Sequence, residues 1–207
     1  MKRGFTILEL SIGLVIIGLV VGGIVFARTL IRVSELQSIT ADGDKFVAAF
    51  NTFRNKYMGF PGDLVNATSF WGGGVSNGNG NNIIDYNNGA AGEEYYVWQH
   101  FSQAKLIQGE YDGTTTSMPP SRMSKTAYRM SYQTAYGKSR TLISLNGVPT
   151  GGGIADKAFL SPTDAYSLDL KVDDGLADKG KVMAFNEDLV PGCVTNYHSA
   201  SSGAYIV

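Results

Sequence analysis

The sequence predicts an α+β chain in which one long N-terminal helix precedes a small antiparallel sheet. Three observations carry that expectation. Residues 5–27 hold no charge other than Glu9. Leu36, Ile39, Gly43, Phe46, Phe50, Phe53 and Tyr57 then recur three or four apart, the spacing of one helix face. After residue 126 the period changes to two: Tyr128, Met130, Tyr132 and Thr134 alternate with Arg129, Ser131 and Gln133.

The apolar run comes first. As a helix it spans about 34 Å at 1.5 Å per residue, enough for a hydrocarbon core of roughly 30 Å. Lys2 and Arg3 precede it, and Arg28 and Arg32 follow. Residues 5–28 are therefore expected to cross a membrane, with residues 29–207 as one globular domain beyond it. A secretory signal has a shorter apolar region and a small-residue cleavage site behind it. Here the polar leader is only residues 1–4, and no Ala-x-Ala pattern follows the run. Glu9 lies inside this segment, where a carboxylate is costly and marks function. It sits near the helix start, where the dipole favours negative charge. If the leader is cut so that Phe5 carries the new N-terminus, the expected partner of Glu9 is an α-amine, its own chain's or a neighbour's; the alternative is a glutamate snorkelling to the interface. Gly18 and Gly22 form a Gly-x-x-x-Gly pair that lets helices approach closely.

The motif Gly4-Phe5-Thr6-x-x-Glu9 at the mouth of an apolar helix resembles the precursors of type IV pilins and type II secretion pseudopilins. The resemblance implies a class III leader, cut by a prepilin peptidase between Gly4 and Phe5, with N-methylation of Phe5. It also implies that Glu9 pairs with a neighbour's Phe5 amine and sets the register of a growing fibre. Many pilins carry proline where this chain has Phe26; Gly22 and Gly23 are then the weak point of the helix. Further motifs are similar to a proteobacterial subgroup of pilin-like proteins. They are Phe53-Arg54-x-Lys56-Tyr57, Pro61-Gly62-Asp63, Asn66-Ala67-Thr68, Trp71-Gly72, Trp98-Gln99-His100, Ala165-Tyr166 and Asp173-Asp174-Gly175. The implied fold is pilin-like: a helical spine packed on a small sheet, with a large glycine-rich αβ loop region between them.

The spine helix is expected to run on to residue 57 and stop at Gly59 and Pro61. Its opposite face carries Arg32, Glu35, Asp42, Lys45, Arg54 and Lys56, and reads as solvated. Residues 59–92 read as a loop. Within it, Asn77, Asn79, Asn81, Ile83 and Asp85 fall at positions 1, 3, 5, 7 and 9 of a calcium-loop pattern. Only Asp85 is charged and Asn88 stands at position 12, so a metal-free asparagine-glycine turn is the competing reading. Calcium is thus the one cofactor the sequence raises. Asn66-x-Thr68 matches a glycosylation acceptor pattern.

Residues 93–107 read as a short helix with Val97, Phe101 and Ala104 on one face, ended by Gly109. His100 on it reads as a surface or partly packed residue. Residues 111–125 form a polar loop. Residues 127–145 read as a hairpin around Gly137-Lys138. Ser161-Pro162 opens a second short helix, serine as cap and proline at its first position. Its buried face is Ala165, Leu168 and Val172, and Asp173-Asp174-Gly175 ends it. Residues 181–185 and 204–207 are the remaining strands. The Asp169, Asp173 and Asp174 carboxylates either hold calcium or form a turn that pairs with Lys171, Lys179 and Lys181.

Net charge is −1 and no Lys/Arg run appears, so nothing points to nucleic acid. The lone Cys193 has no partner for an intramolecular disulfide; it is buried, modified or intermolecular. His198 lies near it, but no oriented third group accompanies them. No Walker loop and no Gly-x-Gly-x-x-Gly turn is present. An enzyme is therefore not expected. The expected function, implied by the resemblance, is a structural subunit of a type IV pilus or a secretion pseudopilus. Such a subunit waits in the bacterial inner membrane, N-terminus cytoplasmic and head periplasmic, before entering a fibre. The implied partners are sibling subunits, the prepilin peptidase, and the assembly platform with its ATPase. The alternative is a minor tip or initiator subunit, a membrane-anchored binding module that does not polymerise.

Overall fold

The computed structural model describes residues 6–87, 91–135, 138–148, 160–176, 180–185 and 204–206. Helix α1 runs over Ile7–Tyr57, and the chain divides into two compact units, Met1–Gln37 and Ser38–Val207.

In the first unit the α1 side chains of Ile7, Leu8, Leu14, Leu19, Val25 and Phe26 are each more than half exposed. In water such a surface would cost hydration free energy at about 25 cal/mol per Å². By length and composition this part of α1 is able to cross a membrane.

In the second unit α1 buries Ile39, Gly43, Phe46 and Phe53 of the expected stripe, with Ala49 buried beside them, while Leu36, Phe50 and Tyr57 of that stripe are half-buried. Phe46 is the hub. Its ring lies 5.0 Å from Trp98 and 5.0 Å from Tyr128, both edge-to-face. Such pairs add about 0.5–1.5 kcal/mol each beyond area burial. Asp42 corrects the expectation of a solvated opposite face, because it accepts a hydrogen bond from the Tyr128 hydroxyl at 3.0 Å. Burial and this carboxylate both push the Tyr128 phenol above its ordinary range.

The helix ends at Tyr57 as expected, but a different residue closes it. Met58 turns left-handed (φ 55°) one residue before Gly59, and its N–H bonds to the Arg54 carbonyl at 2.9 Å. This is the αL way of closing a helix, carried by a residue that is not glycine.

Residues 59–87 run over the second unit and contain a short helix, α2 (Ala67–Trp71), where a plain loop was expected. Helix α3 (Glu93–Gln103) follows and ends before residue 107. Lys105 (φ 57°) ends it: its N–H reaches the Ser102 carbonyl and the Leu106 N–H reaches back to Phe101. That is the Schellman pair of bonds, four residues ahead of Gly109.

The hairpin is β1 (Thr126–Ala135) paired antiparallel with β2 (Lys138–Gly147). Helix α4 (Pro162–Val172) starts as expected, with the Ser161 hydroxyl accepting the Asp164 N–H at 3.2 Å and proline at its first position. It buries Ala165 and Leu168, with Val172 half-buried. Strands β3 (Met183–Phe185) and β4 (Ala204–Ile206) complete a four-stranded antiparallel sheet in the order β1-β2-β4-β3. Of the turn expected at Gly137-Lys138, Lys138 is instead the first residue of β2, and residues 136–137 and Val207, the last expected in the final strand, lie outside the described residues.

The hairpin is buried on both faces. The Tyr128–Leu145 and Met130–Ile143 pairs form one row; Arg129–Ser144 and Ser131–Leu142 form the other, and all eight are buried. Alternating polarity therefore does not mark a solvent face here. Arg129 lies 3.8 Å from the buried Glu94 carboxylate and 4.7 Å from the Tyr86 ring, which together offset the cost of burying its charge.

Candidate functional site

Two places gather the residues singled out by the sequence. The first is the start of α1. Glu9 is the third residue of the helix and Thr6 precedes its first. The Glu9 carboxylate accepts the Thr6 N–H at 2.9 Å and the Thr6 hydroxyl at 2.9 Å. The Glu9 N–H in turn donates to the Thr6 hydroxyl oxygen at 3.2 Å. This is a capping box, Thr-x-x-Glu, satisfying two orphan donors of the first turn reciprocally. An amine was the only partner expected for Glu9, although the Thr-x-x-Glu spacing is itself a sequence signal for the cap. One carboxylate oxygen, Oε2, accepts both bonds from Thr6. Gly4 and Phe5 lie outside the described residues. A Cβ built on Gly18 or Gly22 would meet nothing within 4 Å, so both glycines present bare backbone on an open helix surface.

The second place is the asparagine loop. Residues 77–85 wind around two carboxylates that no sequence pattern connects with them, Asp63 and Glu93. Asp63 is buried and accepts the N–H groups of Gly80, Asn81 (3.1 Å) and Asn82 (2.7 Å). Glu93, in the first turn of α3, accepts the N–H of Asn79 at 2.8 Å and of Asp85 at 3.0 Å. Burial pushes the Glu93 carboxyl up, and the charges of Asp63 and Asp85 push the same way, against those two bonds.

Of the five residues in the calcium pattern, the structure brings Asn79, Asn81 and Asp85 together. Their arrangement is that of an internally satisfied turn. The Asn79 and Asn81 side-chain amides donate to Asp85 Oδ2 at 2.7 and 2.9 Å. Their own oxygens accept the N–H of Asn81 (2.9 Å) and Ile83 (3.0 Å), as Asx turns do. Two amide N–H donors thus stand where a cation would otherwise balance the charge of Asp85. Asn77 is turned to α2, its Oδ1 accepting the Thr68 N–H at 3.0 Å and its amide N–H meeting the Thr68 hydroxyl at 3.3 Å. Ile83 enters through its N–H. A hard cation would need these amides to turn over and offer oxygen, which would break the bonds their oxygens now accept from Asn81 and Ile83. Beside the loop lies an open cavity of about 520 Å³ lined by Asn79, Asp85, Tyr86, Glu93 and Tyr96 among others.

His100 lies at the centre of the second unit, at 0% exposure, which corrects the surface reading. Its ring stacks on Phe53 at 6.0 Å and lies 5.6 Å from Trp71. Nδ1 takes the Gly62 N–H at 2.8 Å, and Nε2 lies 2.8 Å from the Ser76 carbonyl oxygen. A backbone N–H only donates, so Nδ1 is the acceptor and Nε2 carries the proton. Gln99 makes a parallel clasp: its Oε1 accepts the Ser76 N–H, and its amide donates to the Gly74 and Asp112 carbonyls.

Asp169, Asp173 and Asp174 place three carboxylates within 4.8 Å of one another. Asp173 accepts the backbone N–H groups of Lys181 and Val182. Asn88, Cys193, His198 and Lys179 lie outside the described residues. Among known proteins the chain matches no family model, no curated protein and no solved structure.

Proposed function

We propose that this protein is a structural subunit of a type IV pilus or type II secretion pseudopilus, and not an enzyme. The observation that carries the reading is a single helix with two characters. From Ile7 to residue 33 its large apolar side chains are exposed, with bare glycine backbone at Gly18 and Gly22. From residue 39 it supplies the core of a mixed α+β head. The leader motif Gly4-Phe5-Thr6-x-x-Glu9 supports the same reading from the sequence side. In this reading the apolar part first sits in a bacterial inner membrane and then packs among its copies in a fibre. Prepilin peptidase removes residues 1–4 and methylates the Phe5 amine. The assembly platform and its ATPase then add subunits. Glu9 Oε2 caps its own helix while Oε1 faces a neighbour's Phe5 amine.

The test is electron microscopy of filaments sheared from cells that express the protein, with mass spectrometry of the filament fraction. This chain, starting at methylated Phe5, should be a principal component. Finding it only as a trace constituent would favour the second reading, a minor tip or initiator subunit. Finding it solely in membranes with residues 1–4 attached would refute both.

A further inference from the structure

The assembly of a fibre asks nothing of His100, yet its contacts tie three elements together. It sits on α3, takes a donor from Gly62, gives a proton to Ser76, and packs flat on Phe53 of α1. Gly62 and Ser76 are the two ends of the segment that carries α2 and Trp71. That segment is otherwise tied to α3 through Gln99, whose bonds do not titrate.

The imidazole holds Gly62 only while neutral. A proton on Nδ1 converts the acceptor into a donor aimed at another donor, so the Gly62 N–H must leave. Gly62 has nowhere to adjust in place. Its φ is +85°, and the position of its missing Cβ is 2.5 Å from the Glu93 carbonyl oxygen and 2.8 Å from Val97. The backbone there is pressed against α3.

We propose that His100 is an acid latch: its protonation releases residues 62–76, with α2, from α3 while the β1–β2 hairpin stays folded. The charged groups on the elements around the imidazole are Arg54 and Lys56 of α1, Asp63 of the segment, and Glu93 and Glu94 of α3. Each is engaged elsewhere. Arg54 lies over Phe60 and Lys56 over Tyr57. Asp63 and Glu93 hold the backbone of residues 79–85, and Glu94 faces Arg129. Burial alone lowers the proton affinity of His100, to a pKa of about 4, against the pull of the Ser76 carbonyl. The latch therefore opens near pH 4 and not near neutrality. Opening uncovers the Trp71 and Phe53 rings that now flank the imidazole.

The experiment is hydrogen exchange on the full chain in detergent micelles at pH 7 and pH 4, corrected for the intrinsic pH dependence of exchange. In the wild type the amides of residues 62–76 should exchange at least tenfold faster at pH 4, while those of β1 and β2 keep their protection. His100→Gln offers a donor and an acceptor without titrating, and its protection in 62–76 should change less than twofold. Should that variant fail to fold, the His100 ring resonance is followed in the wild type instead, and its titration midpoint should coincide with the opening of the segment. Loss of protection in hairpin and segment together would overturn the proposal. So would equal opening in His100→Gln, or a His100 midpoint at its ordinary value with the segment still closed.

Discussion

Substituting Glu9 by glutamine separates two jobs that valine would remove together. In the structure one carboxylate oxygen accepts two bonds from Thr6, at 2.9 Å each. A glutamine keeps a carbonyl oxygen at that place, and Gln serves the capping box nearly as well as Glu. Loss of such a cap is worth about 1 kcal/mol. Glu9→Gln should therefore keep the helix start, while Glu9→Val loses it but removes an insertion cost of about 2.5 kcal/mol or more. For assembly the charge outweighs the cap. If a neighbour's Phe5 amine is buried against Glu9 in a fibre, leaving that amine unpaired costs about 3–5 kcal/mol per subunit. At about 1.36 kcal/mol per factor of ten, this weakens subunit addition about a hundredfold or more. The assay compares wild type, Glu9→Gln and Glu9→Val for filament number and length, with intact mass for processing and membrane fractionation for insertion. Both variants should be inserted and cut, and both should build few filaments. Filaments from Glu9→Gln as long and as numerous as wild type, beside a failing Glu9→Val, would show that the cap matters and the charge does not.

Three other outcomes are expected. Gly4→Leu should retain residues 1–4, because the peptidase needs a small residue before the cut; an intact mass that still begins at Phe5 would refute the assignment. Gly62→Ala places a Cβ 2.5 Å from the Glu93 carbonyl oxygen at φ +85°, so it should destabilise the head by about 2 kcal/mol or more in chemical denaturation, with unchanged insertion. For the asparagine loop, if its amides turn over to hold calcium, millimolar calcium should raise the Tm of the wild type by mass action and Asp85→Ala should abolish the rise; identical melting curves with calcium and with chelator would leave the amide-satisfied turn as its working state.

Much of the fold is legible in the sequence because it repeats a single period over many residues. The stripe from residue 39 to 53 and the alternation after residue 126 need no tertiary knowledge, and Ser161-Pro162 announces α4 by local chemistry alone. What escapes depends on partners far away in sequence. Asp63 and Glu93 become the anchors of the asparagine loop only once folding brings positions 63, 80–82 and 93 together. His100 reads as exposed because a polar residue on a short helix usually is; its burial follows from two backbone groups, Gly62 and Ser76, that no pattern marks. The polar row Arg129, Ser131 and Ser144 is buried because Glu94 and Tyr86 cover part of it. The residues that close the helices differ for a local reason: Met58 and Lys105 take the left-handed conformation that Gly59, one residue on, and Gly109, four residues on, were expected to supply. The start of α1 is a different case, since the Thr6-x-x-Glu9 cap is fully local and its spacing alone is enough to find it.

The strand order β1-β2-β4-β3 has a consequence for how this head comes into being. β4 lies between β2 and β3, so residues 204–206 join pieces made much earlier. Until they have left the ribosome, Ser144 and Leu145 of β2 present an unpaired edge, and β3 has no neighbour in the sheet. A growing chain in this state exposes strand edges of the kind that pair with the wrong molecule. Closing the sheet is thus a single late stitch. A chain that stopped short of residue 204 would release β3 and open the edge of β2 at once.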